Sequence, residues 1–545
     1  MPCGPLARAS LVHMVLLAAL CLPAAAHAAA LEPCASPSGS LCTTVDVPLD
    51  RDSAGSGTIG LAVELRHGGI PGAAPLVAIA GGPGQSSIAA GDALEQLTRP
   101  LGRGRDLVLV DLRGTGRSDA LVCPELQRRE SAAAVRACAR RLGARRGLYR
   151  TRDSVADIEA VRVALGAPRI ALFGVSYGTR TAIGYARANP ERVERLVLDS
   201  PVAEPRPDPF LGPQQRALPR ILGQATVADL RAVVRQRPRD AALLQVLFAT
   251  DIDPSVRRAL PAAVRAARAG WPQELRRLER RVMHAGGSVP ARRDSAGLNA
   301  ANQCEELPRE PLAALGPGPF DATTRRLGPV AVLCRAWPRT ARPEPAPLAS
   351  PLQVPTLVLT GAIDVRTPWE GTRAITGPAV TRLLVPATGH SVLGTERGVC
   401  ASRALRAFAR GEAVRSCPPA RLAPAWPALP TRPARPGPEA VLKAVGIALD
   451  DVDRALRTSG SRFPAPPRGR GPRGGAYRIG ADGSIALRSY AAVPGVGLSG
   501  LISSTGAGRL RIGGPAQGTA TLAPDGRLRV RVGTRSLVRR WIPPR

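Results

Sequence analysis

The stretch Ile170-Ala171-Leu172-Phe173-Gly174-Val175-Ser176-Tyr177-Gly178 constrains this chain more than any other. A short apolar run that reads as a buried strand leads into Gly-x-Ser-x-Gly, and Thr179 to Ala188 then has helical character. Small residues flanking the serine permit a tight strand-to-helix turn that lifts its hydroxyl into a cleft. Ser176 is therefore the candidate nucleophile. In a chain with 57 glycines such a pentad also arises by chance, so its weight comes from the strand before it and the helix after it.

The rest of the chain supplies the sheet that such a turn requires. Leu76 to Ala80, Asp106 to Asp111, Ile170 to Phe173, Leu196 to Leu198, Thr356 to Leu359 and Arg382 to Val385 read as buried parallel strands, with crossover helices between them. One helix is expected from Ser154, as cap, to Leu165, ended by Gly166 and Pro168. From Pro201 to about Ser350 the strand pattern lapses into Ala/Leu/Arg-rich helical sequence, as in Pro261 to Arg281, which reads as an inserted lid. The expected class is α/β: a mostly parallel sheet with a helical cap and a small C-terminal β module. The layout is 29–200 and 351–418 for the core, 201–350 for the cap, and 419–475 for a Pro/Arg-rich linker with one helix. Residues 476–545 form the β module, where alternating runs sit between Gly, Asp-Gly and Pro-Gly turns.

A serine at its free pKa needs a base. The chain has five histidines, and His390 in Thr388-Gly389-His390-Ser391 follows the last strand, downstream of the nucleophile. His67 precedes the turn and His284 lies in the lid, and both read as surface residues. Asp364, on the loop after Thr356 to Leu359, is the candidate acid that holds the imidazole in its productive tautomer. Asp199, at the end of Leu196 to Leu198, is the rival, read as a loop-capping carboxylate. Donors for a developing oxyanion come from Ala80-Gly81-Gly82-Pro83-Gly84-Gln85-Ser86, with the backbone N–H of Gly82 and that of Tyr177 as the expected pair.

The N-terminus and cysteines bear on compartment. Arg8, the apolar run Leu11 to Leu22 and Ala26-His27-Ala28 read as a signal peptide over 1–28, too short to span a bilayer. No transmembrane segment is expected once it is removed. Of ten cysteines, Cys3 and Cys21 leave with that segment. The other eight fall as Cys34/Cys42, Cys123/Cys138, Cys304/Cys334 and Cys400/Cys417. An even count in an exported chain implies disulfides, many connectivities being open; nearest-neighbour pairing is the expectation. No Cys-x-x-Cys or His-x-x-x-His spacing suggests a metal, and the chemistry calls for no cofactor. The net charge of +33 comes almost entirely from arginines dispersed along the chain, with 3% aromatics. Dispersed charge with little stacking material argues against nucleic acid as partner, and electrostatic association with acidic cell-envelope polymers is kept as an alternative rather than the main reading.

Gly81-Gly82-Pro83-Gly84, Asp111-Leu112-Arg113-Gly114-Thr115-Gly116-Arg117-Ser118, Gly174 to Thr179 and Gly389-His390-Ser391 together resemble the secreted tripeptidyl aminopeptidase-like α/β-hydrolases, relatives of the proline iminopeptidases. The likeness covers roughly Leu41 to Pro418. It implies a Ser176, Asp364 and His390 triad beneath a disulfide-bearing helical cap. It also implies that the free amino terminus of a peptide substrate meets cap carboxylates, for which Gln303-Cys304-Glu305-Glu306 supplies Glu305 and Glu306. Ala80 stands where proline iminopeptidases often have His. The expected function is an exported serine hydrolase, an aminopeptidase releasing short N-terminal peptides or one residue. An esterase for small acyl esters, or an envelope-binding protein with a vestigial site, remain the alternatives.

Overall fold

The computed structural model describes residues 30–542 apart from 36–38, 54, 203–211, 238–240, 286–288, 307–333, 341–349, 436, 458–463 and 515–516. The expected signal segment lies outside the described residues. Among the described residues, nine strands form the main sheet: β1 (Glu32–Pro33), β2 (Leu41–Pro48), β3 (Thr58–Arg66), β4 (Leu76–Ile79), β5 (Leu107–Val110), β6 (Ile170–Val175), β7 (Val193–Asp199), β8 (Thr356–Gly361) and β9 (Val380–Val385). Their order is β1-β2-β3-β5-β4-β6-β7-β8-β9. The six apolar runs of the sequence are all strands of this sheet. From β5 to β9 every pairing is parallel, and every residue of β4, β5 and β8 is buried, as strands covered by helices on both faces must be. The antiparallel β1, β2 and β3 were not legible as apolar runs, because β2 alternates buried and exposed side chains.

The topology decides where a site can form. The chain leaves β4 towards β5 on one side and returns to β6 on the other, so the loops after β4 and β6 diverge at a switch point and leave a crevice. Those loops are Ala80 to Ser86 and the Ser176 turn. The helix behind them spans Thr151–Ala164, starting about one turn before Ser154, because the Asp153 carboxylate accepts the Arg150 N–H at 3.2 Å and fixes an earlier entry.

Between β7 and β8 lie the cap helices Gly212–Leu222, Gln224–Gln236, Ala241–Ala249, Pro254–Arg268, Gln273–Ala285 and Ala296–Glu306. The expected helical run from Pro261 to Arg281 is two helices, broken where Gly270 takes φ +87°. The cap has its own core, with Leu230, Val246, Val256, Leu260 and Leu275 fully or almost fully buried. Among the described residues, Ile363 and Val365, the two neighbours of Asp364, enter that core from the loop after β8.

The C-terminal sheet is an eight-stranded antiparallel meander from Arg468–Arg470 to Arg535–Arg540. Its first strand falls inside the stretch expected to be a connector. The helix expected within the linker, Pro438–Leu456, is the second layer of this module. Val445, Leu449 and Val452 share one core with Leu498, Ile512 and Val530. Disulfides join Cys34 to Cys42, Cys123 to Cys138, Cys304 to Cys334 and Cys400 to Cys417. No helix among the described residues is long and apolar enough to cross a membrane.

Candidate active site

Ser176 takes φ +54°, a left-handed conformation that a side-chain-bearing residue adopts only when its surroundings impose it. The flanking glycines show what imposes it. A Cβ on Gly178 would stand 2.4 Å from the Ala80 carbonyl oxygen, and one on Gly174 2.8 Å from the Thr179 backbone. The helix that follows therefore packs closer to β4 and β6 than any larger residue allows, and Ser176 occupies the bend.

His390 approaches Ser176 from the loop after β9, its Nε2 3.0 Å from Oγ of the serine. Its Nδ1 lies 3.0 Å from Oδ2 of Asp364. The second Asp364 oxygen accepts the N–H groups of Arg366 at 2.9 Å and Thr367 at 2.8 Å, and the Thr367 hydroxyl donates to Oδ2 at 2.8 Å. Burial pushes the Asp364 carboxyl upward, but the His390 charge and these hydrogen bonds outweigh it and hold the group down at about 2. An ionised, fully buried carboxylate thus faces the imidazole and fixes it with Nδ1 protonated and Nε2 as acceptor toward the serine.

Asp199 lies elsewhere in the same framework. Its carboxylate accepts the N–H groups of Val392 at 2.6 Å and Leu393 at 3.0 Å, and its carbonyl accepts the Ser176 N–H at 2.9 Å. It ties the nucleophile turn to the histidine loop. Burial, only partly opposed by those N–H donors, raises its pKa to about 6. Of the two other histidines among the described residues, His67 is exposed at the protein surface 3.6 Å from Asp106, and His284 is exposed on a cap helix.

The glycine loop lies against the nucleophile, a Cβ on Gly81 coming within 3.0 Å of the Ser176 Cβ. Among the described residues, neither the Gly82 nor the Tyr177 backbone N–H donates to a protein acceptor. The loop is held from two sides. Asp111 accepts the Ser86 hydroxyl at 2.6 Å and the N–H groups of Ile88 and Arg117, while the Ser295 N–H donates to the Gly84 carbonyl at 2.9 Å. Arg113, two residues on, is fully buried; it pairs with both oxygens of Asp157 at 2.6 Å and donates to the Leu49 and Leu148 carbonyls. Within the Asp111 to Ser118 motif, Asp111 thus anchors the glycine loop, while Arg113 ties β2 to the helix Thr151–Ala164.

Glu305 and Glu306 are both buried, and they differ in what they touch. Glu305 accepts from Trp337 Nε1 at 2.9 Å and from the Thr340 backbone and hydroxyl, which anchors the segment after Cys334. Glu306 pairs with Arg180 at 2.8 Å and accepts from the Thr151 hydroxyl and Asn302. Thr151 and Asn302 also hold the Tyr177 hydroxyl, at 2.8 and 2.6 Å, so Glu306 stands beside the residue that follows the nucleophile.

One carboxylate at the site was not singled out in the sequence. Asp251, at the end of cap helix Ala241–Ala249, accepts the Val365 N–H at 3.1 Å and Arg366 Nε at 3.2 Å. Its ligand atom lies within 4.8 Å of those of Asp364 and His390. A Cβ on Gly389 would fall 1.6 Å from the Asp251 carbonyl, so only glycine fits there. Nothing in the local sequence of Asp251 marks it, since its place depends on how the cap closes. Among the described residues, Asp364 and His390 serve each other and Thr367, while Asp251 accepts from Val365 and Arg366.

A sequence profile described as alpha/beta hydrolase fold matches residues 74–396, more than half of the chain. The chain is 30% identical over 198 residues to the serine protease Hip1 of Mycobacterium tuberculosis, a match covering 32% of this chain and 38% of that protein. It is 36% identical over 92 residues to the proline iminopeptidase of Neisseria gonorrhoeae, covering 17% of this chain and 23% of the relative. The chain thus spans well under half the length of these curated relatives. Among solved structures, a thermophilic esterase from Thermogutta terrifontis is similar at 18% identity and TM-score 0.33, with 68% of this chain and 97% of that one covered. With the strand order, the turn at Ser176 and the matched profile together, the chain belongs to the alpha/beta hydrolase fold family.

Proposed function

We propose that the protein is an exported serine hydrolase acting on peptides with a free amino terminus. The observation that carries the reaction class is the continuous chain Ser176 Oγ, His390 Nε2, His390 Nδ1 and Asp364 Oδ2, with both links at 3.0 Å. His390 takes the Ser176 proton as Oγ attacks the carbonyl carbon. The negative charge forming on the carbonyl oxygen is received by the backbone N–H groups of Gly82 and Tyr177. The imidazolium, stabilised by Asp364, then protonates the leaving amine, and water resolves the acyl-enzyme by the reverse sequence.

The preference for a free amine is supported by the likeness to proline iminopeptidases and by Glu306 beside Tyr177. Its charge is shared with Arg180, so a substrate ammonium meets a carboxylate already engaged, and Glu306→Gln is expected to raise KM more than it lowers kcat. The test is hydrolysis of free-amine and N-blocked peptidyl anilides of one to three residues beside a short-chain nitrophenyl ester. Cleavage confined to free-amine peptides supports the aminopeptidase. Turnover of blocked peptides, or of the ester alone, replaces it with general acyl hydrolysis. Export rests on the N-terminal segment and four disulfides, and is tested by fractionating expressing cells and sequencing the mature N-terminus.

A further inference from the structure

We infer that a basic cavity behind the histidine loop is a binding site for a multivalent phosphate anion. The cavity, of about 790 Å³, lies between the cap turn Thr250–Arg257, the loop Pro386–Gly389 with the helix start at Cys400, and the segment that follows Cys417. Its size is that of a small-molecule site. Arg257, Arg397, Arg403 and Arg421 line it, coming from three separate parts of the chain.

Among the described residues, none of these four guanidinium groups pairs with a carboxylate. Arg257 is the most informative. It is 8% exposed, and the hydrogen bond it makes is to the Ala423 carbonyl, at 3.2 Å. A buried arginine is ordinarily paired, because an uncompensated charge in a poorly hydrated place costs several kcal/mol. Here the neighbouring charges are Arg258 and Arg397, and burial together with that repulsion lowers the Arg257 pKa.

The acidic groups in the lining are committed elsewhere. Asp251 accepts from Val365 and Arg366. Asp253 caps the helix Pro254–Arg268 through the N–H groups of Ser255 and Val256, with Arg281 4.0 Å away. Glu396 accepts the Ala401 N–H with both oxygens. What remains for a ligand is positive charge. Arginines contributed to the lining by three parts of the chain suit an anion whose oxygens project out of one plane, as those of a phosphate do, better than a single flat carboxylate.

This inference is independent of the reaction assigned to Ser176. Its test is calorimetric titration and thermal unfolding of the full chain with inorganic pyrophosphate, with citrate and with sodium chloride at matched ionic strength. Pyrophosphate is expected to bind at one site per chain and raise Tm, and Arg257→Gln with Arg397→Gln to weaken it at least tenfold. The pair Arg509→Gln with Arg529→Gln, on the exposed face of the C-terminal sheet, is expected to leave binding unchanged. Without anion, Arg257→Gln should unfold no lower than the parent, since it removes an uncompensated charge; a merely structural arginine would give the opposite. Should the first pair not fold, Arg397→Gln with Arg403→Gln carries the same test from exposed positions. Absence of saturable binding at about 10 mM pyrophosphate, near the weak limit of specific association, would overturn the site. So would an equal Tm shift from chloride, or full affinity in the cavity variants. Tighter binding of citrate would overturn the phosphate assignment.

Discussion

Ser176 is the residue on which the reaction class stands, and its role can be separated from its place in the fold. Ser176→Ala removes one oxygen from a position already bent by its neighbours, so labelling by a fluorophosphonate should vanish while Tm moves by no more than about 2 °C. Asp364 differs because its charge is part of the folded state. Its pKa is held at about 2, below its ordinary 3.8. A depressed carboxyl contributes stability that is full above the unfolded value and is lost as pH falls from about 4 through 2, an effect on the order of 2 kcal/mol. Asp364→Asn should remove that acid-side dependence in urea unfolding followed across pH. It should also cut kcat by about 10³ to 10⁴, since an amide favours the wrong imidazole tautomer. Asp199 has the opposite sign. With a folded value near 6, its contribution is full below about pH 4 and declines as pH rises through 6, and Asp199→Asn should flatten that decline.

At the scale of elements, the site is a meeting of loops whose glycines mark where two backbones touch. Gly389 is the sharpest case, because the cap carbonyl of Asp251 occupies the space a Cβ needs. Gly389→Ala must push the Asp251 turn away from the histidine loop, and with it the Val365 and Arg366 contacts that flank Asp364. The expected result is a loss of about 2–4 kcal/mol in urea unfolding, with kcat falling more than KM rises. Equal kcat in a folded Gly389→Ala protein would show that the cap turn does not position the site. The helices between β7 and β8 are thereby a supporting wall of the site, and Ile363 and Val365 on either side of Asp364 are buried in their core.

The whole molecule joins its parts through buried charge. Arg277, on cap helix Gln273–Ala285, pairs with both oxygens of Asp451 at 2.6 and 2.8 Å and donates to the Tyr490 hydroxyl at 2.8 Å. Beside it Arg473 pairs with Glu274 at 2.8 Å and lies over the Trp271 ring. Helix, meander and cap thus share one polar network. Removing one partner leaves its mate uncompensated. Asp451→Ala should cost about 3–5 kcal/mol, and the cap and C-terminal module should then unfold in separate steps where the parent unfolds in one. A single unchanged transition would mean that the two parts are not coupled through this pair.

The sequence by itself determined the local pieces of this protein. Most of the six parallel strands were legible because residues buried on both faces leave unbroken apolar runs, while β9, with alternating burial, was legible from the apolar residues Leu383, Leu384 and Val385. The turn at Ser176 was legible because only small residues tolerate its backbone approach. His390 and Asp364 could be singled out because each follows a recognisable strand in a fixed chain order. Tertiary structure decided what depends on distant segments meeting. It placed Asp251 against Gly389, turned Glu305 towards Trp337 and Glu306 towards Tyr177, made the helix Pro438–Leu456 a layer of the C-terminal module, and set Asp111 against the glycine loop and Arg113 against Asp157. Local pattern records whether a side chain is buried, not which remote side chain buries it. That second fact exists only once the cap has closed on the sheet.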